Sequence, residues 1–317
     1  MRAVWMNEYG DPSVLVARDT PDPVPGPGQA LVEVGYANIT FVETQFRARG
    51  FGPVRATPPI IPGNGVGGVV SAVGEGVDRG LVGRRVVGPT GGSGGYAQRV
   101  AADAAGLVEV PDGLRLDDAV ALLADGRTAL LLLRSADLVP GERVLVEAAA
   151  GGVGILLVQL AKTAGAFVIA AAGGARKLDV ARDVGADVAV DYTATSWVDG
   201  AGRLDVVFDG VGGTVARSAF DLLDPGGRMI SYGLASGTWT DVKDEEAAAR
   251  GVTIVRGARG TPEELRTFTA AALAEAAAGR LRPLIGQRFP LERAADAHAA
   301  MESRTTVGKT LLVAASE

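Results

Sequence analysis

The chain has 317 residues, 47 % apolar and 21 % charged, enough for one large or two ordinary domains with full hydrophobic cores. Its net charge of −6 and pI of about 5.1 argue against a nucleic-acid partner or an acidic membrane surface. No run of ~20 apolar residues could span a bilayer, and the first residues lack a secretory signal pattern, so we expect a cytoplasmic protein with no membrane partner.

Cysteine is absent from the chain and histidine occurs once. These counts exclude disulfides, a thiol nucleophile and the usual cysteine and histidine ligands of zinc, so we predict no metal site. A Ser-His-Asp triad could use only His298. That residue lies in the alanine-rich pattern LERAADAHAAMES, which predicts a surface or half-buried position on a helix.

The first ~115 residues alternate short apolar runs with Gly- and Pro-rich loops, a pattern typical of antiparallel, barrel-like domains. The runs predicted as strands are ALVEVGYANIT, GVVSAVGEGV, RRVVGP and GGYAQRV.

From Leu116 onward the pattern changes to a long helical segment, followed by strands that alternate with helices. The strands are RVLVEAA, AFVIAAA, DVAVDY, LDVVFDGVGG, GRMISYG and VTIVRG, and the intervening helices include GILLVQLAKTAG and ARKLDVARDVGA. Continuously apolar strands at this spacing predict a doubly wound parallel sheet, an α/β fold of the dinucleotide-binding type. A helix, a short strand, a second helix and the terminal strand VGKTLLV follow, and we expect that strand to return to the first domain.

The stretch VLVEAAAGGVG, residues 144–154, begins as a buried strand and ends in glycines. Its spacing is Ala149-x-Gly151-x-x-Gly154, a dinucleotide turn with alanine in the first glycine position. Gly151 would let the backbone approach a pyrophosphate, and Gly154 would let the helix pack closely on the strand. A purely structural turn remains the alternative in a chain with 45 glycines.

The end of the second strand of the predicted parallel sheet, AFVIAAA, indicates whether the site prefers NAD or NADPH. NAD sites usually carry an acidic residue at its end to hold the ribose hydroxyls. Here the strand ends in AAAGGARK, residues 170–177, without an acid. Small residues followed by Arg176 and Lys177 favour the 2′-phosphate of NADPH, although a solvated helix start is the alternative.

Several segments, in chain order, resemble the zinc-independent quinone oxidoreductase (zeta-crystallin-like) branch of the medium-chain dehydrogenases/reductases. They are MRAVWMNEYGDPSVL, VPGPGQALVEVGYANIT, GVGGVVSAVGEGV, AAAGGVG, FDGVGG and VGKTLLV, and the resemblance extends over nearly the whole chain. It implies a GroES-like, mostly antiparallel β catalytic domain from residues 1–118 and 261–317, and a Rossmann NADPH-binding domain from residues 119–260. It also implies an active site in the cleft between them.

The resemblance implies that Lys177 and Tyr192 hold the 2′-phosphate, and that Thr128 and Lys309 lie near the nicotinamide. The full set of candidate cofactor residues is Thr128, Gly151, Gly152, Val153, Gly154, Gly173, Arg176, Lys177, Tyr192, Asp209, Gly210, Gly233, Ser236 and Lys309.

The substrate side departs from the family pattern. Where the family often has Asn-x-x-Asp-x-Tyr, this chain has Thr40, Glu43 and Gln45, and a frequent acidic position is Gly65. Thr40 and Gln45 are the candidate hydrogen-bond donors to a substrate oxygen. Aromatic residues could form either an apolar wall for a planar acceptor or ordinary core, namely Phe41, Phe46, Phe51 and Trp239.

These patterns predict an NADPH-dependent oxidoreductase that transfers hydride to a quinone or an α,β-unsaturated carbonyl. Two alternatives stay open: an enoyl or enone reductase dedicated to one biosynthetic pathway, and an NADPH-binding module without catalysis. Because relatives in this family are often dimers joined through a sheet edge, we expect a homodimer joined through the edge strand VTIVRG.

Overall fold

The computed structural model describes residues 1–52, 56–257 and 260–314; residues 53–55, 258–259 and 315–317 of the predicted domains lie outside this description. The chain divides into two compact units. One is formed by Met1–Arg127 and Pro262–Glu317, and the other by Thr128–Thr261.

The helices and strands follow one another in this order. The first elements are β1 (Arg2–Met6), β2 (Leu15–Asp19), β3 (Gln29–Ile39), α1 (Phe41–Arg49), β4 (Gly65–Val73), β5 (Arg85–Pro89), β6 (Arg99–Asp103), β7 (Val108–Glu109) and α2 (Leu116–Ala136). Then come β8 (Arg143–Glu147), α3 (Gly152–Thr163), β9 (Phe167–Ala172), α4 (Ala175–Asp183), β10 (Val188–Asp191), α5 (Trp197–Ala201), β11 (Leu204–Asp209), α6 (Gly213–Asp221), β12 (Leu223–Ser231), α7 (Asp244–Ala249) and β13 (Thr253–Arg256). The last are α8 (Pro262–Ala277), β14 (Ile285–Pro290), α9 (Ala294–Glu302) and β15 (Lys309–Val313).

The first unit is built on a mostly antiparallel sheet in the order β14-β15-β3-β4-β5-β7, with β6 also paired to β3. The strands β1 and β2 form a separate antiparallel pair. β15 pairs with β3, with Leu312 opposite Ala37, so the predicted return of the terminal strand to the first domain is confirmed. The inward-facing apolar residues of these strands form one core with Phe46 and the apolar face of α9.

Glycines in β4 let α2 pack closely on the sheet. A Cβ on Gly67 would lie 2.3 Å from Val120 Cγ2, and one on Gly65 would lie 2.7 Å from Leu123 Cδ2. Any larger residue at these two positions would push the helix away from the strand. Gly65 therefore has a packing role in this chain.

The second unit contains a parallel sheet in the order β10-β9-β8-β11-β12-β13, in which every neighbouring pair is parallel. The order reverses between β8 and β11, the position at which doubly wound folds bind dinucleotides. The central strands are apolar along nearly their whole length because both faces of the sheet are covered. The predicted α/β fold with a doubly wound parallel sheet is confirmed.

The predictions of individual strands and helices were less accurate than the prediction of the fold. The segment GGYAQRV was expected to be a strand, but β6 begins only at Arg99. Gly95 instead packs against Gly63, where a Cβ would lie 2.9 Å from the Gly63 carbonyl oxygen. The helices α1, α5, α6 and α7 and the strand β2 were not predicted. None of the helices among residues 1–52, 56–257 and 260–314 is long and apolar enough to cross a membrane.

Candidate cofactor and substrate sites

The glycine turn lies between β8 and α3. Ala148 adopts a left-handed conformation with φ +48°, and its carbonyl accepts the Gly151 N–H at 2.8 Å. Gly151 is the N-cap of α3, so Gly152, Val153 and Gly154 form the first helical turn. Their N–H groups have no acceptor within the helix and lie at the positive end of its dipole, an arrangement that suits a phosphate.

Two glycines of this turn have different structural roles. A Cβ on Gly154 would lie 2.3 Å from the Ala148 carbonyl oxygen and 2.8 Å from Ala149 Cα. Gly154 is therefore required for α3 to approach the strand end. A Cβ on Gly151 would be 3.2 Å from the Ala148 oxygen and would otherwise point into open space, where a ligand can approach the backbone.

The end of β9 carries the candidate residues for the adenosine side. Gly173 follows the strand, and a Cβ there would lie 3.3 Å from the Tyr192 ring. In the first turn of α4, Lys177 is half-buried and Arg176 is exposed. Arg176 has no hydrogen bond or ion pair with any residue that the structure describes. This end of the sheet therefore presents a glycine, an aromatic ring and two cations.

One acidic side chain, Asp191, also lies beside Gly174 at this end of the sheet, which the sequence did not indicate. Asp191, the last residue of β10, accepts the Gly174 N–H at 3.1 Å and the Thr193 N–H at 3.0 Å. The Thr193 hydroxyl donates to the same carboxylate at 2.6 Å. The hydrogen bonds from Thr193 lower the pKa of Asp191. These three donors hold the carboxylate against the protein backbone.

Asp209 ends β11 and is fully buried. Its carboxylate accepts the Gly212 N–H at 2.7 Å and the Ser231 hydroxyl at 2.7 Å. Burial raises the pKa of Asp209, and these hydrogen bonds oppose the rise. With its oxygens engaged inside the protein, Asp209 shapes the turn that follows it.

That turn contacts the segment after β12. A Cβ on Gly233 would lie 2.5 Å from the Gly210 carbonyl oxygen, and the Ser236 N–H donates to the Val211 carbonyl at 2.8 Å. β9, β8, β11 and β12 are neighbours in a parallel sheet, so their carboxyl ends lie along one edge. The structure thus brings Gly173, the glycine turn, Gly210, Gly233 and Ser236 to the same edge of the sheet.

Thr128 lies on α2 in this second unit, and its hydroxyl has no hydrogen-bond partner among the described residues.

The carboxyl edge of the parallel sheet fits a dinucleotide in three respects: free helix N–H groups, a glycine that leaves the backbone open, and cations beside the second strand.

In the first unit, the candidate substrate residue Thr40 precedes α1. Its N–H and its hydroxyl both donate to the Glu43 carboxylate, at 2.6 and 2.9 Å. Glu43 also accepts the Asn64 N–H at 2.9 Å. Burial raises the pKa of Glu43, opposed by the hydrogen bonds from Thr40 and by the charge of Lys309. Because the Thr40 proton is directed at Glu43, the Thr40 hydroxyl is not a free donor to a substrate oxygen.

The second substrate candidate, Gln45, is half-buried and accepts a hydrogen bond from Arg49 at 2.9 Å. Its side-chain amide N–H group is therefore its donor. Of the aromatic candidates, Phe46 is core and packs edge-on against Tyr9. Phe51 and Trp239 are 40 % and 48 % exposed.

Lys309, a candidate cofactor residue, is buried and bonded to the carboxylate of Asp125 on α2 at 2.9 Å. Both belong to the first unit. The ion pair fixes the ammonium group against the helix. Buried pairs of this kind are costly to break because the remaining charge stays desolvated.

His298 differs from its predicted surface or half-buried position: it is 1 % exposed, because α9 packs this face into the core. Its Nε2 lies 2.9 Å from the Tyr96 hydroxyl. Burial, with the charge of Arg47, lowers the pKa of His298 to about 3. Among the described residues, no cluster of three or more His, Cys, Asp or Glu side chains could hold a metal ion.

Two family models match the chain. One, described as an alcohol dehydrogenase GroES-like domain, matches residues 26–112, and another, described as a zinc-binding dehydrogenase, matches residues 184–312. A quinone oxidoreductase of Pseudomonas aeruginosa is 34 % identical, with 96 % of this chain and 97 % of the relative covered. The chain belongs to the zinc-independent quinone oxidoreductase branch of the medium-chain dehydrogenases/reductases.

Two further comparisons give similar sequence identities. A 2-haloacrylate reductase of a Burkholderia species is 32 % identical, with 98 % of each chain covered. The structure of the Escherichia coli quinone oxidoreductase complexed with NADPH has a TM-score of 0.90 at 30 % identity, covering 99 % of this chain and 100 % of that one. These matches, with the two sheets described above, confirm a Rossmann-like unit and a GroES-like unit.

Two buried acidic residues of these units were not selected from the sequence, namely Asp125 on α2 and Glu147, the last residue of β8. Glu147 could have been found as a charged residue at the end of a strand predicted to be buried on both faces. Asp125 interrupts an apolar helical stretch in the same way. Their partners lie too far along the chain for sequence spacing to indicate them.

Proposed function

We propose that the protein is an NADPH-dependent oxidoreductase that transfers hydride to a quinone or an α,β-unsaturated carbonyl without zinc. The observation that carries the proposal is the carboxyl edge of the parallel sheet, where the glycine turn and the acid-free, cationic end of β9 lie together. Family membership and the NADPH complex of a structural neighbour support it.

In this proposal, residues 119–260 form the NADPH-binding domain and residues 1–118 and 261–317 form the catalytic domain. The first-turn N–H groups of α3 bind the pyrophosphate. Lys177, Arg176 and Tyr192 hold the 2′-phosphate, with Gly173 leaving room beside the ring.

The remaining candidate residues are assigned to the nicotinamide end of the cofactor. Thr128 and Lys309 serve the nicotinamide, and the segments containing Asp209, Gly210, Gly233 and Ser236 shape the carboxyl edge of the parallel sheet. When bound, NADPH supplies the hydride. The Gln45 amide N–H stabilises negative charge that develops on the substrate oxygen, and Thr40, through its hydrogen bonds to Glu43, fixes the start of the helix that carries Gln45.

An acceptor screen tests the proposal. Purified protein with NADPH is supplied with a quinone, an enal and a cyclic enone in parallel, and the loss of NADPH absorbance is followed. We expect turnover of at least one acceptor class. Tight NADPH binding without turnover of any acceptor would instead support a non-catalytic NADPH-binding module.

A second candidate function is reduction of an activated alkene that carries a carboxylate. One relative is a 2-haloacrylate reductase. In this chain Arg127, directly before Thr128, has a guanidinium whose pKa is lowered by burial, opposed by the charge of Asp125, and it forms no direct ion pair or hydrogen bond within the described residues. A partly desolvated guanidinium that is not engaged in a direct ion pair suits an anionic substrate.

The Arg127→Leu variant tests this candidate. We expect its KM for 2-haloacrylate to rise by about 10–100-fold, because a charge-assisted hydrogen bond is lost. Its KM for the uncharged methyl ester and for quinones should stay unchanged. An equal rise for the acid and the ester would show that Arg127 does not bind the carboxylate.

We also propose a cytoplasmic homodimer joined through β13, one of the two edge strands of the parallel sheet. An unpaired edge offers N–H and C=O groups to a second copy, and Ile254 and Val255 are only half-buried. Sedimentation at dilute concentration should give the mass of a dimer, and a monomer at every concentration would contradict this assembly.

A further inference from the structure

Two carboxyl side chains meet at the point where the strand order of the parallel sheet reverses. Glu147 is the last residue of β8 and Asp209 the last of β11, and these strands are paired with Val146 opposite Phe208. Both side chains are fully buried. Neither is explained by packing alone, since burying a charge is costly without a compensating partner.

Their hydrogen bonds are unequal. Asp209 accepts the Gly212 N–H and the Ser231 hydroxyl, both at 2.7 Å. The two carboxyl groups share the Val211 N–H, at 3.1 Å from Glu147 Oε2 and 3.2 Å from Asp209 Oδ1, so they lie side by side. Glu147 Oε1 receives no donor from any described residue.

A single proton accounts for this pattern. If Glu147 is protonated on Oε1, that oxygen is a donor and needs no donor of its own. Asp209, which collects the other donors, is then the ionised member. The pair is therefore one acid and one carboxylate, as is usual when two carboxyl groups share a buried site.

The electrostatic surroundings of the pair also favour a protonated Glu147. Burial raises the pKa of Glu147 well above its ordinary value, and the Asp209 charge raises it further, whereas no described lysine, arginine or histidine contributes. The neighbouring elements place Ala171 of β9, Ser231 of β12 and Tyr232 around the pair. Tyr232 follows β12, and its hydroxyl would lie 2.7 Å from a Cβ on Gly210.

We propose that Glu147 is a positioning residue that holds the turn at residues 210–213 for the dinucleotide while it carries a proton, so that the protein loses affinity for NADPH when that proton leaves. When the proton is lost, two negatively charged carboxylates share the single Val211 N–H donor. The turn also carries the Gly233–Ser236 segment, through the Val211 carbonyl and the Ser236 N–H at 2.8 Å. A displaced turn thus changes both segments that face the ligand. This inference rests on the proposed function.

The Glu147→Gln variant tests the proposal, because the amide imitates the neutral acid: its NH₂ donates to Asp209 and its oxygen accepts from Val211. NADPH is titrated into wild type and variant from neutral to alkaline pH. We expect the wild-type Kd to rise by about tenfold per pH unit once the pair ionises, and the variant Kd to stay flat. The control is Glu142→Gln, which removes a carboxyl of the same unit paired with Arg228 and should keep the wild-type profile.

A second measurement needs no variant. In protein with isotope-labelled glutamate and no cofactor, infrared spectra should show the C=O band of a protonated carboxylic acid at neutral pH, and this band should disappear over the same pH range in which NADPH affinity falls. Only carboxylate bands at neutral pH, or the same alkaline slope in Glu147→Gln as in wild type, would overturn the proposal. Tight, pH-independent NADPH binding in wild type overturns this proposal alone, whereas no NADPH binding at any pH overturns the proposed function as well.

Discussion

At the scale of single residues, the cations of α4 show what sequence spacing can and cannot select. Lys177 and Arg176 were selected because no acid precedes them at the end of β9. The structure distinguishes the two, since Lys177 is half-buried and Arg176 is exposed. Lys309 was also selected from the sequence, but its partner Asp125 lies 184 residues away and could not be.

Lys177→Ala should weaken NADPH binding by about 10–100-fold and leave NADH binding nearly unchanged, because only NADPH carries the 2′-phosphate. The two affinities are measured by fluorescence titration. Lys243→Ala is the matched control: it removes one positive charge from the same unit at the N-cap of α7. If Lys177→Ala leaves the ratio of the two affinities unchanged, Lys177 is a solvated surface residue.

At the scale of elements, the strand–turn–helix unit of β8 and α3 was predicted nearly to its ends, because a buried apolar strand, a glycine turn and an apolar helix all have local signals. The helix α1 was not predicted. Its ends depend on the contact of Thr40 with Glu43 and on the left-handed Gly50, φ +71°, and its 9 residues are few for a helical pattern to show in the sequence. The substrate side was for this reason the less predictable part of the candidate site.

Two glycine substitutions in this unit should separate folding from binding. Gly154→Ala should lower the free energy of unfolding by about 1–3 kcal/mol, because its Cβ meets backbone atoms that cannot give way. An ordinary helical glycine would instead gain up to about 1 kcal/mol from the same change. Urea denaturation measures the free energy of unfolding of this variant and of Gly151→Ala.

Gly151→Ala should change the unfolding free energy by less than about 1 kcal/mol, since its Cβ has one tight contact, yet weaken NADPH binding about tenfold or more. Full NADPH affinity in a stably folded Gly151→Ala protein would show that the phosphates do not approach this backbone.

At the scale of the whole molecule, the order of strands determines which residues meet. The alternation of strands and helices predicted a doubly wound sheet, but the meeting of Glu147 with Asp209 follows from β8 and β11 becoming neighbours. Burial of His298 likewise depends on α9 packing into the core of the first unit, and an alanine-rich sequence gives little sign of which face will be covered.

His298 should make the protein sensitive to acid. Its pKa of about 3 in the folded state lies below 6.5, so the unfolded state binds more protons between these values and stability falls as pH drops through that range. Wild type should lose about 2 kcal/mol from this group between about pH 6.5 and pH 5. His298→Gln should lack that loss in urea denaturation at the two pH values; an equal loss in both proteins would assign the acid sensitivity to other groups.

The central claim is that the carboxyl edge of the parallel sheet binds NADPH as the hydride donor. Its most direct test is to titrate the purified protein with NADPH and with NADH, and then to supply each with the same quinone while following cofactor absorbance. The account predicts much tighter binding of NADPH and faster oxidation of NADPH than of NADH. Equal affinity for the two cofactors, or preference for NADH, would contradict it.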